Sequence, residues 1–490
     1  WSSIASALFA AIVATNVFAG TVARFARIGA GATGVQIGLQ LALIGVGHLV
    51  GVTVGVAMLA GLVIAWGILV PIVSAQHAPI ADVATTVGTV FRTQVRFIGA
   101  GAIGVAALWS LGRLAGPLAG GVASSLAATR ARARGDGESL PITERDLPFT
   151  TVMLVSVVCL LPLAVLLAVF LAGTPLRAVG VALVLGALVY VVVAGLIVAA
   201  ICGYMAGLVG SSNSPVSGLA ILTVLGASLL LLLVARPGDP NAAKALVAYA
   251  LFVTAVIINV ATISNDNLQD LKTGQLVGAT PWRQQVALVA GVLFGAVVIP
   301  PILDLLNHAY GFAGSPIKGI SAQPLAAPQA TLISALANGV ISGQLNWSLI
   351  GVGALIGLVV VAIDETLRRT ANRQFPPLAV ALGIYLPMTV TFMIMIGAFL
   401  GKLYERSISA IPNPAAGRRL GILTASGLIV GESLFGVLLS GIIVASRKDA
   451  PLALVGDAFA PAAEILGILG FIVFVAILYR WTAALARRTP

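Results

Sequence analysis

Long uncharged runs constrain this chain more than any motif in it. Residues 150–173, "TTVMLVSVVCLLPLAVLLAVFLAG", and 178–202, "AVGVALVLGALVYVVVAGLIVAAIC", carry no charged side chain. Backbone in lipid satisfies its hydrogen bonds only within helices or closed barrels, and a crossing helix takes about 20 apolar residues. Further runs of this kind lie at 215–235, 242–263, 285–305, 347–363, 376–401, 420–445 and 455–482, with weaker ones at 2–20, 97–122 and 326–343. The stretch 35–74 is nearly two spans long and reads as a short segment plus a full span, or as a hairpin dipping into the bilayer. Period-2 alternation, the mark of barrel strands, is absent. The expected class is an all-α polytopic membrane protein of roughly 12–16 helices, some broken or re-entrant.

Composition agrees. The chain is 59% hydrophobic and 9% charged, with mean hydropathy +1.08, where soluble domains carry about a quarter charged residues. The net charge of +11 comes from short connections such as "RARAR" (130–134), "RRTANR" (368–373) and Arg418–Arg419. That distribution fits retained cytoplasmic loops, so no nucleic-acid partner is expected. The ending "RWTAALARR" puts the C-terminus in the cytoplasm; counting back, "RRTANR" falls outside, which calls for one re-entrant segment. Cys159 and Cys202 lie within apolar runs and read as small hydrophobes. The opening at Trp1 resembles the middle of a span, so residues 1–125 read as an N-terminal half lacking its first helices. The polar connection 126–149 then leads to the remaining bundle, 150–490.

Two echoes point to a repeat. "GHLVGVTVGVAMLAG" (47–61) lies over "GIYLPMTVTFMIMIG" (383–397), matching Gly47 with Gly383, Thr53 with Thr389 and Gly61 with Gly397. Further along each half, "GAIGVAALWSL" (101–111) lies over "GLIVGESLFGV" (427–437). Transporters place substrates between such repeats, at helices broken near the midplane.

Two polar stretches interrupt the apolar pattern. In "GYMAGLVGSSNSPVSGLAI" (203–221), Pro215 removes a backbone donor and the glycines permit unwinding. Tyr204, Ser211, Ser212, Asn213 and Ser217 are its candidate substrate-binding residues. This stretch is either a surface turn or a discontinuous helix lining a cavity. In "SNDNLQDLKTG" (264–274), Asp266, Gln269, Asp270 and Thr273 share one face of a short helix that Gly274 would end. With Lys272 off that face and Leu268, Leu271, Leu276 and Val277 interleaved for packing, Asp266, Gln269, Asp270 and Lys272 form a candidate gate. An amphipathic connector is the alternative.

"GLVGSSNSPVSG", "NDNLQDLKTGQLVGATPWRQQ", "RFIGAGAIGVAALWSL", "ERDLP", "PLAAPQATLISALANGV", "GIYLPMTVTF" and "ASGLIVGESLFGV" together resemble the oligopeptide transporter family in its prokaryotic form. The resemblance runs over nearly the whole chain, with Ser214 and Asn265 departing from the pattern. It implies a secondary transporter of two related helical bundles, moving small peptides or, in the yellow-stripe branch, metal–chelate complexes, usually with protons. It implies partners accordingly: one of those substrates, protons, the cytoplasmic membrane and, as a further option, a second copy in a homodimer.

Proton coupling calls for ionisable groups within the membrane. Glu432, mid-span with no basic neighbour in sequence, is the first candidate carrier, and Glu464 the second. Asp304 and His308, one helical turn apart, either couple a proton, bind a metal or mark a span's wet end, and His48 lies in the presumed broken segment. Metal-ligand spacing, a phosphate-binding loop and a nucleophile elbow are all missing. No enzyme activity, catalytic residue, cofactor or metal centre is therefore expected.

Overall fold

The computed structural model describes all residues except 77–79, 81, 111, 114–140, 210–215, 313–316, 322–326, 344–345 and 489–490. In chain order the elements are α1 (Ser2–Ala14), the strands β1 (Thr21–Ile28) and β2 (Gly31–Gly38), α2 (Leu41–Leu62), a π-helical turn (Val63–Leu69), α3 (Val70–Ala75) and α4 (Val83–Val90). A second π-helical turn (Phe91–Val95) leads into helical residues 96–110. There follow α5 (Phe149–Ala172), α6 (Gly180–Val209), α7 (Val216–Val234), α8 (Pro240–Val277), α9 (Pro281–Tyr310) and α10 (Pro328–Ile341). The chain closes with α11 (Trp347–Ala371), α12 (Pro377–Tyr385), α13 (Met388–Ile408), α14 (Pro414–Ser446) and α15 (Ala460–Arg488). Among the described residues nine helical stretches are long and apolar enough to cross a membrane, and three shorter apolar helices accompany them. The protein is an all-α polytopic membrane protein.

The helices form two compact units: residues 1–103, 298–326 and 349–490, and residues 104–297 and 327–348. The first unit is built on two broken helices. Along α2 the backbone leaves helical geometry at Gly51, with φ 79° and ψ 170°, a region open essentially to glycine alone. The second break has another cause. Leu386 is extended at φ −71°, ψ 149°, as the residue before a proline prefers, and Pro387 then starts α13. With its 9 residues, α12 is about 14 Å long and cannot cross a hydrocarbon core of about 30 Å.

The two broken helices cross reciprocally. A Cβ on Gly47 would lie 2.1 Å from Ile394 O, and one on Gly383 2.3 Å from Met58 O. Likewise a Cβ on Gly61 would lie 2.0 Å from Val380 O, and one on Gly397 2.4 Å from Ile44 O. When Gly47 is set over Gly383, as the sequence echo has it, Met58 falls over Ile394 and Ile44 over Val380. Each contact is therefore made twice with the roles exchanged, as a two-fold relation requires. In the second echo each copy meets a different helix, Gly101 meeting Ile350 at the start of α11 and Gly427 meeting Ser2 at the start of α1. Both copies of the first echo lie inside the first unit, whereas Gly104 onward in the 101–111 copy of the second echo belongs to the second unit.

A hairpin precedes the first broken helix. β1 and β2 pair antiparallel from Thr21↔Gly38 to Ile28↔Gly31 around Gly29-Ala30. Gly29 has φ 59°, the first-position geometry that a II′ turn assigns to glycine. The sequence reading admitted no strand here.

In the second unit α6 packs along α8, with α7 and α10 beside them. Tyr249 is fully buried, and Tyr190 Oη donates to Thr223 O at 2.9 Å. The polar stretch after residue 263 is no separate short helix. α8 runs unbroken for 38 residues, about 57 Å. Asp239 caps its start by accepting from Asn241 N and Ala242 N, and left-handed Gly278, not Gly274, ends it.

Candidate transport site

Glu432 sits on α14, half-buried, and its carboxylate reaches across to α2. Its Oε2 accepts from Ala42 N at 2.9 Å, with the Leu41 amide alongside. A helix start leaves its first amides unpaired and carries partial positive charge. Gln40, the residue at the cap position, gives no side-chain bond, so a carboxylate distant in sequence performs the capping. The half-helix 41–50 is thus tied at its start to Glu432 and ends at the Gly51 break.

Close to that break, His48 Nδ1 is 2.9 Å from Tyr479 Oη on α15, and the His48 ring lies 5.8 Å from the Tyr404 ring. Tyr404 Oη donates to Gly417 O at 2.7 Å. Tyr404 and Tyr479 also line a cavity of about 440 Å³ between α13 and α15, with Ser407, Arg480 and Arg487 among its walls. Its residues 400, 403, 404 and 407 on one helix, and 480, 483, 484 and 487 on the other, follow helical face spacing. At the second break, the Arg96 guanidinium carbon lies 5.0 Å from the ring centroid of Tyr385, the last residue of α12.

The family profile described as "OPT oligopeptide transporter protein" matches residues 1–443. This chain belongs to the OPT family. A "Putative oligopeptide transporter" of Haemophilus influenzae is 39% identical over 480 residues, covering 94% of this chain and 75% of the relative. A "Probable metal-nicotianamine transporter" of Arabidopsis thaliana is 26% identical over 200 residues, 39% of this chain and 26% of the relative. One from Oryza sativa subsp. japonica is 27% identical over 210 residues, covering 42% and 29%. OPT is a family of membrane transporters, so transport and not catalysis is the activity of this chain.

In this OPT chain the residues singled out by sequence fall into two groups. Glu432 and Glu464 belong to the first unit; Tyr204, Ser217, Asp266, Gln269, Asp270 and Lys272 belong to the second. Glu464 lies at the start of α15 and pairs with Arg24 of β1 at 3.2 and 2.5 Å. That carboxylate raises the Arg24 pKa further through the hydrogen bond and its charge. Asp304 and His308 form an exposed pair at 3.4 Å.

Within the second unit the two polar stretches meet. Gly203 and Gly207 of α6 face Leu268 of α8, and Ser264 Oγ donates to Ala199 O at 2.7 Å. Tyr204 is half-buried on that stretch of α6, whereas Ser211, Ser212 and Asn213 lie outside the described residues, as does the Ser217 side chain. Asp266, Asp270 and Thr273 share an exposed stripe with Gln269 at its edge, as their spacing predicts. Lys272 Nζ donates to Gln275 Oε1 at 3.2 Å. Leu276 and Val277, expected to pack, are 79% and 76% exposed at the helix end. Among the described residues no three His, Cys, Asp or Glu side chains gather as a metal site.

Sequence reasoning missed Arg96, because its environment is assembled from α12 and from the π-helical turn just before this residue, two elements distant from each other in sequence. The one local signal is a cation in "FRTQVRFIGAGAIG" (91–104) with no acid nearby in sequence.

Proposed function

We propose that this OPT protein imports small oligopeptides across the cytoplasmic membrane by proton-coupled alternating access. The supporting observation is the reciprocal crossing of two broken helices, one of them capped at its start by Glu432. Half-helices present unpaired backbone groups within the membrane, where transporters bind substrates and coupling ions. Two repeats crossing through glycine backbones can exchange equivalent packings, the requirement for access that alternates between sides.

In this mechanism Glu432 carries the coupling proton. As a carboxylate it accepts from the Ala42 amide and complements the positive end of the half-helix. Protonation removes that charge and loosens the start of α2, which links proton binding to movement of the broken helix. Glu464 is the second candidate, with proton uptake tied to release of Arg24. Tyr204 and the polar residues 211–213 and 217 contribute substrate contacts, and the stripe of Asp266, Gln269 and Asp270, with Lys272, acts as a gate. The halves 1–125 and 150–490 about the connection 126–149, and assembly as a homodimer, belong to the same proposal.

Uptake by purified protein in proteoliposomes tests it. With an inward proton gradient, labelled tri- to pentapeptides should accumulate above equilibration, saturably, and collapse of the gradient should release them. Equilibration without accumulation would indicate a channel, and binding without movement a receptor. The plant relatives named for metal-nicotianamine favour a second reading, transport of a metal chelate. Accumulation of ferric or cupric chelates in place of peptides would select it.

A further inference from the structure

We infer that Arg96 anchors the substrate's carboxylate at the second helix break, an inference that rests on the transport reading above. Arg96 follows the π-helical turn Phe91–Val95, and its side chain lies between aromatic rings. The guanidinium carbon is 5.9 Å from the Phe91 centroid and 5.0 Å from that of Tyr385. Phe91 in turn stacks on Trp66 at 4.9 Å, and Trp66 belongs to the other π-helical turn, Val63–Leu69. Such turns occur frequently at functional sites. Both lie at the second break: Trp66 and Phe91 share a buried apolar cluster with Ile384 and Met388, and Tyr385 immediately precedes extended Leu386.

Two donors in this cluster have no acceptor. Arg96 Nε and Trp66 Nε1 are both buried without a hydrogen-bond partner, and Trp66 is 4% exposed. Among the described residues no carboxylate pairs with Arg96. Its contacts are the two ring faces, which attract a cation but accept none of its N–H bonds. Arg368 and Arg369 of α11, by contrast, pair with Asp364 and Glu365 at 2.8 Å each. A cation packed among membrane helices without an anion is costly and marks a functional group. An arginine fork matches a carboxylate in two parallel hydrogen bonds. A peptide's C-terminus brings that carboxylate, and the Tyr385 and Phe91 faces hold the guanidinium in place before it arrives. Arg96 is accordingly a substrate-binding residue, and Trp66 Nε1 supplies a further donor to the same cluster.

The test compares alanine tri- to pentapeptides as free acids with the same peptides as C-terminal amides. Binding to the purified full chain is measured by ligand-dependent thermal shift. The wild type should bind the acids about 10- to 100-fold more tightly, the factor of one charge-assisted pair. R96Q should lose that factor for the acids and keep its affinity for the amides. Equal binding of acid and amide by the wild type, or a parallel loss of both in R96Q, overturns the inference. Should R96Q fail to fold, R96K keeps the cation and gives up the fork; its acid-to-amide preference should fall, and an unchanged preference overturns the assignment. Equal acid and amide binding leaves peptide transport standing. Failure of the wild type to bind either form removes peptide transport, and Arg96 as its anchor with it.

Discussion

The two polar stretches of the second unit and the broken helices of the first carry opposite kinds of signal. Residues 264–274 are dense in polar side chains, yet their backbone is regular helix and their acids are exposed. The segments 41–62 and 377–397 are almost wholly apolar, yet their backbones break, at Gly51 and at Leu386. Inside a bilayer the second kind weighs more. Polar side chains at a helix end are solvated cheaply, whereas interrupted backbone persists only where protein or a wet cavity satisfies it.

The sharpest way to break this contrast is to fill a glycine at the crossing. Gly47→Leu and Gly383→Leu each place a side chain where a Cβ alone would lie 2.1 or 2.3 Å from a backbone oxygen. The helices must separate, at a cost of about 1–3 kcal/mol or more. Both variants should lose folded protein in size-exclusion chromatography, to similar extents because the contacts are reciprocal. Gly207→Ala in α6 meets nothing closer than the Leu268 side chain at 3.4 Å. It should be neutral, or stabilising by about 0.5–1 kcal/mol through helix propensity. If Gly383→Leu is tolerated as well as Gly207→Ala, the crossing is not a structural centre.

Carboxylates provide the next comparison. Glu432→Gln keeps an acceptor for the Ala42 amide but cannot ionise. In proteoliposomes it should abolish gradient-driven accumulation while leaving counterflow in place. Asp266→Asn with Asp270→Asn, on the exposed stripe, should lower turnover only about two- to fivefold, the scale of an exposed interaction of ~0.5–1 kcal/mol. Full accumulation in the Glu432 variant would reverse the ranking of the two regions.

The sequence made legible whatever is written locally. The run 150–173 became Phe149–Ala172 with little adjustment, because apolar length alone sets a span. Gly47 and Gly383 matched because close backbone approach admits only glycine at both. Glu432 stood out as a lone acid, but its partner, the start of α2, is distant in sequence and left no local trace. The hairpin was hidden because its second strand, "GATGVQIG", is mostly small residues without alternation. Arg96 was hidden for the reason Glu432 was half-visible: its two rings come from elements far apart in sequence. The polar run 264–274 showed its exposed stripe but not its helix end, because Gly274 reads as a stop that the unbroken α8 passes through.

The smallest effect should come from the half-buried acid at the start of α15. Glu464 meets Arg24 in two hydrogen bonds, and Arg24 stands 71% exposed. Exposed pairs contribute little, since water competes for both charges and ordering two side chains costs entropy. Glu464→Gln should leave thermal stability unchanged within error and reduce accumulation far less than Glu432→Gln. If instead Glu464→Gln alone abolishes accumulation, the proton passes through the strand–helix contact at Arg24. The hairpin would then be the coupling element, and the cap on α2 only a structural tie.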